Sequence, residues 1–90
     1  MSYKIAWDEK ARDFLRKLPK LASIRIIKKV NGAVDNPHHY LEALVDMKCY
    51  KLRVGDYRVL VDIDEDNKIL SVIFIGHRKN VYKQIGKIRL

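Results

Sequence analysis

Arg53 and Arg58 flank a Gly55-Asp56 pair inside the alternating run Tyr50-Lys51-Leu52-Arg53-Val54 and Tyr57-Arg58-Val59-Leu60-Val61. A two-residue loop of the Gly-X kind joins antiparallel strands, pairs Val54 with Tyr57 and sets Arg53 directly across from Arg58. Lys51 shares their face. Side chains so opposed have Cβ atoms roughly 4.5–5.5 Å apart, where like charges destabilise. Two unit charges about 6 Å apart at an effective dielectric of 20 repel by roughly 3 kcal/mol before relaxation. A compensating polyanion is the natural occupant of such a face, and the sugar-phosphate backbone is the commonest one. The plainer alternative is that Lys51 and Arg53 guard an edge strand and the remaining cations keep the chain soluble.

Pairing Ile63 with Lys68 across the acidic turn Asp64-Glu65-Asp66-Asn67 brings Ile73 opposite Arg58 and puts Ile75 and His77 on the cationic face. His77 is then placed for phosphate contact or proton transfer. From His77 onward Arg78, Lys79, Lys83, Lys87 and Arg89 occur without a carboxylate. Tyr82, interleaved with these cations, is either core or a platform for an unpaired base. His38 and His39 follow Pro37 without evident metal-ligating partners and read as loop histidines. No Gly-rich phosphate loop, Ser/His/Asp arrangement or pair of catalytic carboxylates can be assembled, and neither cofactor nor metal is expected.

The elements that must position these groups follow from periodicity. Tyr3, Ile5 and Trp7 alternate as in a half-buried strand. Asp8 offers an N-cap to a helix whose apolar face is Ala11, Phe14, Leu15 and Leu18, ending before Pro19. A second helix starts there, is stopped by Asn36-Pro37, and places Ile26, Ile27, Val30, Ala33 and Val34 on its inner face and Arg25, Lys28 and Lys29 on its outer one. His38 to Met47 reads as irregular. Three strands follow, over 48–54, 57–63 and 68–77, the last nearly continuous in apolar residues as a central strand should be. Val81, Tyr82 and Ile85 have helical spacing in the segment 78–90.

The chain has 90 residues, 48% of them hydrophobic and 33% charged, with 19 Lys and Arg against 11 Asp and Glu for a net charge of +8. That composition predicts a single folded domain over 1–90 with one thin core and no deep cofactor pocket. The lone Cys49 excludes an internal disulfide framework and a Cys-based zinc site and suits a reducing compartment. The N-terminus lacks the apolar stretch of a signal peptide, and the longest apolar run, Val72 to Ile75, is too short to span a bilayer, so a soluble cytoplasmic protein without membrane partners is expected.

The stretches YKLRVGDYRVLVDI and IFIGHRKNVY, with the LPK junction at Leu18 to Lys20, resemble the RelE family of the RelE/ParE toxin superfamily. The resemblance covers nearly the whole chain. It implies an α+β fold like that of small microbial ribonucleases: an N-terminal strand, two helices on one face of a twisted antiparallel meander, and a short C-terminal helix. It also implies a type II toxin that enters the ribosomal A site, against 16S-type rRNA, and cleaves mRNA there by attack of a ribose 2′-OH on the adjacent phosphate. A RelB-type antitoxin would wrap and silence it. Lys51 and Arg53 match the two basic strand positions, Arg58 the arginine stabilising the pentavalent phosphate, Arg78 the one serving the leaving 5′-oxygen, and Tyr82 the base-stacking aromatic. His77, Lys79 and Lys83 would add substrate contacts. The alternatives are a ParE-like inhibitor of DNA gyrase and a non-catalytic nucleic-acid-binding module.

Overall fold

The computed structural model describes residues 2–44 and 48–79. The elements run β1 (Lys4–Trp7), α1 (Glu9–Lys17), α2 (Lys20–Gly32), α3 (Pro37–Tyr40), β2 (Glu42–Ala43), β3 (Tyr50–Val54), β4 (Tyr57–Asp64) and β5 (Ile69–His77). Asp8 begins α1 as expected: its backbone is extended and its carboxylate accepts the Lys10 N–H at 3.3 Å. The alanine variant of Asp8 should lose about 1 kcal/mol of stability, the usual worth of an N-cap oxygen. Thermal unfolding would show this as a melting point roughly 4–8 °C lower in a domain of this size.

The strands form one sheet in the order β1-β5-β4-β3-β2. β5 is an interior strand, flanked by β1 and β4, in keeping with its apolar run. β1 pairs with it in parallel while the remaining pairs are antiparallel, so the first strand does not extend the meander but closes its far edge. α1 packs on β5 and α2 on β3, covering one sheet face and burying Ala11, Ile26 and Val30 against Leu52, Val59 and Val72. Tyr57 lies on this covered face, its ring edge-on to Phe14 at 6.4 Å between centroids.

Three expectations are corrected. The region after Pro37 is not wholly irregular, because Pro37 opens the short α3 and Glu42–Ala43 pairs with Lys51 and Tyr50 as an edge strand. Elements this short carry too few residues to display a period. Ile27 is not an inner-face residue: it is 38% exposed, and the outer surface of α2 also shows Leu21 and Ile24. The β4–β5 register differs too. The turn is flanked by Asp64 and Ile69, and a bulge between Leu60 and Val61 inserts Ile73, so that Arg58 faces Gly76 and Tyr57 faces His77. One extra residue flips every following side chain to the other face.

At the sheet end remote from the Gly55-Asp56 turn, Glu65 ties three segments together. Its carboxylate accepts the Tyr3 hydroxyl at 2.6 Å and meets His38 Nε2 at 2.5 Å, while the His38 ring stands edge-on to Tyr50. His38 is thus anchored rather than a loose loop residue. The Tyr3 hydrogen bond first, and then His38, hold the Glu65 carboxyl below its ordinary value. A depressed acid stabilises the fold above the unfolded-state value and ceases to do so as pH falls through the folded-state one. The melting-point advantage of the wild type over Glu65→Gln should therefore be full near neutrality and vanish in acid, below the folded-state value. A thermal-melt series from neutral to acidic pH checks the sign.

Candidate functional site

The β3–β4 hairpin is built as its residues demand. Gly55 has φ +58, the left-handed backbone that a Gly-X turn requires at its first central position. The register then pairs Arg53 with Arg58, Lys51 with Leu60 and Glu42 with Lys51, so Lys51, Arg53 and Arg58 share the sheet face opposite the helices.

The opposed arginines resolve their repulsion by going different ways. Arg58 is 8% exposed and turns back over the hairpin, where its Nη1 donates to the carbonyl oxygens of Gly55 at 2.8 Å and Tyr57 at 2.9 Å. Two carbonyl dipoles thus hold this guanidinium at the turn. Gly76, directly across, presents no side chain to it. Arg53 stays exposed and lines a groove of about 400 Å³ at the β3 edge together with Lys28, Lys29, Gly32, Tyr40 and Leu52. Lys51 lies with its Nζ 3.6 Å from the Glu42 carboxylate of β2.

Arg78 joins Arg58 at the hairpin tip. Its backbone N–H donates to the Asp56 carbonyl at 2.8 Å, and its Nε lies 3.9 Å from the Asp56 carboxylate. Lys79 follows, exposed, its backbone N–H donating to His77 Nδ1 at 3.3 Å. His77 itself is a correction. The bulge carries its side chain to the helix-covered face, where it stands 5.9 Å from the Tyr57 ring, rather than to the face of Lys51, Arg53 and Arg58. Tyr82 and Lys83, with most of the expected C-terminal helix, lie outside the described residues.

Two members of the cluster were not singled out from sequence. Arg25 of α2 reaches the same turn: a Cβ added at Gly55 would meet its Nη2 at 3.4 Å. Asp56 supplies a carboxylate amid these guanidinium groups. Both sit in ordinary patterns, a basic helix face and a polar turn, and nothing in their spacing says that the two meet. Among the described residues no three His, Cys, Asp or Glu side chains gather as a metal site requires. Cys49 is a buried thiol pushed upward in pKa by desolvation and by the nearby Asp62 charge, the reverse of an activated nucleophile.

A helix-backed sheet whose hairpin tip gathers guanidinium groups places the chain among small basic α+β proteins. Comparison with known proteins narrows it. The family model for the ParE toxin of the type II toxin-antitoxin system parDE matches residues 5–82. A RelE-like toxin protein of Escherichia coli is 30% identical over 82 residues, covering 88% of this chain and 86% of that one. The free E. coli toxin RelE, solved as a mutant, superposes with a TM-score of 0.77 at 26% identity over the whole of both chains. The toxin-antitoxin complex RelBE2 of Mycobacterium tuberculosis shares the fold at a TM-score of 0.80 and 22% identity, with 87% of this chain and all of that chain covered. The chain belongs to the RelE/ParE family of type II toxin-antitoxin toxins.

Proposed function

We propose that the chain is a ribosome-dependent endoribonuclease that cuts mRNA in the A site and so halts translation, held inactive by a RelB-type antitoxin. The observation that carries this reading is the anchoring of Arg58 and Arg78 to one two-residue turn, with Lys51 and Arg53 on the strand that feeds it. In-line attack of a ribose 2′-OH on the adjacent phosphate needs orientation and stabilisation of an added negative charge. Arg58, oriented beforehand by its two carbonyl bonds, is the group proposed for the pentavalent phosphate. Arg78 would serve the leaving 5′-oxygen. Lys51 is proposed as charge stabiliser or base, and the Glu42 carboxylate beside it suits the former role. Arg53, Lys79 and Lys83 would hold flanking phosphates, and Tyr82 a base. His77 is not carried forward as a substrate contact, since it stands on the face of Tyr57.

Attack by the 2′-OH leaves a 2′,3′-cyclic phosphate on the upstream fragment and a 5′-OH on the downstream one. End-group analysis of mRNA recovered from translation reactions should find both. Fragments bearing a 5′-phosphate would overturn the chemistry.

A second reading, poisoning of DNA gyrase, draws support from the matching family model being that of ParE toxins. It predicts trapped gyrase-DNA cleavage complexes and intact mRNA, and it tolerates loss of Arg58 and Arg78. The acidic antitoxin expected for a basic toxin is proposed by likeness to relatives solved as RelB complexes, such as those of E. coli and Pyrococcus horikoshii.

A further inference from the structure

The Gly55-Asp56 turn sets a carboxylate beside Arg78, the group proposed for the leaving 5′-oxygen. Asp56 is exposed, and its side chain borders a small cleft of about 90 Å³ with Arg25 on one side, while Arg78 approaches from the end of β5. The backbone bond from Arg78 N–H to the Asp56 carbonyl fixes where the Arg78 side chain starts, and the Asp56 carboxylate lies 3.9 Å from its Nε. We propose that Asp56 is an internal stand-in for the substrate phosphate, holding Arg78 at the hairpin tip in the free protein and yielding it when a phosphodiester arrives. The inference rests on the RNA-cleaving reading above and deepens it.

The geometry suits a contact made to be exchanged. The pair is loose, and both side chains are about half exposed or more, 53% for Arg78 and 69% for Asp56. Exposed ion pairs of this kind contribute little and are screened by salt. The contact to Asp56 is a single one at 3.9 Å, whereas the two non-bridging oxygens of a phosphodiester, sharing one charge, can meet the planar fork of an arginine in shorter, bidentate, charge-assisted bonds. It would also gain the attraction of Arg25 and Arg58, which brace the turn from the helix side and from the opposite face. Holding Arg78 near its working position lowers the ordering cost of binding, while the carboxylate charge weakens affinity for any polyanion.

The substitution Asp56→Asn tests this cleanly, because it keeps the backbone carbonyl that accepts from Arg78 and removes only the charge. Asp66→Asn, in the turn at the other end of β4, makes the same change in net charge remote from the cluster. Binding is measured with a short fluorescein-labelled single-stranded RNA carrying 2′-O-methyl groups, which lacks the attacking hydroxyl. The expected result is that Asp56→Asn binds about two- to fivefold more tightly than Asp66→Asn at low salt, the scale of one exposed charge pair. In the wild type, the Arg78 Nε–H resonance should shift as this RNA is added. Equal affinity of the two variants, or an Arg78 resonance that stays in place while other residues report binding, overturns the stand-in role and leaves the RNA reading standing. Absence of saturable RNA binding by the wild type also overturns the stand-in role, since Asp56 then has no phosphodiester to yield to, while the ribosome-dependent reading is decided separately by cleavage in translation reactions.

Discussion

Replacing Arg58 by alanine is expected to slow mRNA cleavage by about 10²–10³-fold, the usual effect of deleting one donor aimed at developing charge. The size follows from how the guanidinium is held. Both Nη1 hydrogens are committed to the Gly55 and Tyr57 carbonyls, so the planar group has a fixed orientation before substrate binds. Its burial also strengthens its field at a neighbouring phosphate. Lysine at this position should not restore the rate, since an ammonium cannot grip the turn and present a planar fork at once. The alanine variant also removes two part-buried hydrogen bonds at the turn, costing about 1–3 kcal/mol of stability. Circular dichroism and thermal unfolding at the assay temperature separate that loss from the catalytic one. A variant that is folded and cleaves at the wild-type rate would remove Arg58 from the mechanism.

The largest effect on stability is expected at Ile26. It is fully buried where α2 meets the sheet, and truncating it to alanine should cost about 2–5 kcal/mol through lost burial and the cavity left behind. Against a total of roughly 5–15 kcal/mol for a domain of this kind, that loss is a large share of the stability. The neighbouring Ile27→Ala, at a residue 38% exposed, should cost less than about 1 kcal/mol. Urea unfolding of the two variants measures the contrast. Similar midpoints would mean that α2 is rotated about its axis relative to the sheet.

That pair of isoleucines also marks how far the sequence was legible. Helical periodicity located α2 and most of its inner face but ran it on to Asn36-Pro37, whereas the helix ends at Gly32, the poor helix former inside the pattern; two adjacent apolar residues also straddle the boundary of that face, and only packing decides between them. The hairpin was readable to the residue because a two-residue glycine turn leaves a single register, so the Arg53–Arg58 opposition needed no structure. The next pairing was not. It depends on a four-residue turn and on a bulge at Ile73, an extra residue that leaves no mark in the pattern of side chains. His77 was assigned to the wrong face for that reason alone. Arg25 and Asp56 escaped notice for another reason: they meet through the approach of a helix to a turn distant in sequence, which no local spacing encodes. The resemblance to RelE toxins, carried by the hairpin and by the end of β5, identified the family without those details.

The most direct test of the central claim is toeprinting of translating ribosomes in a purified translation system, comparing the wild type with a variant carrying both Arg58→Ala and Arg78→Ala. The account predicts truncated mRNA with ends at the A site for the wild type and full-length mRNA for the double variant, provided that variant is shown to be folded. Full-length mRNA with both proteins, or equal truncation by both, would contradict it.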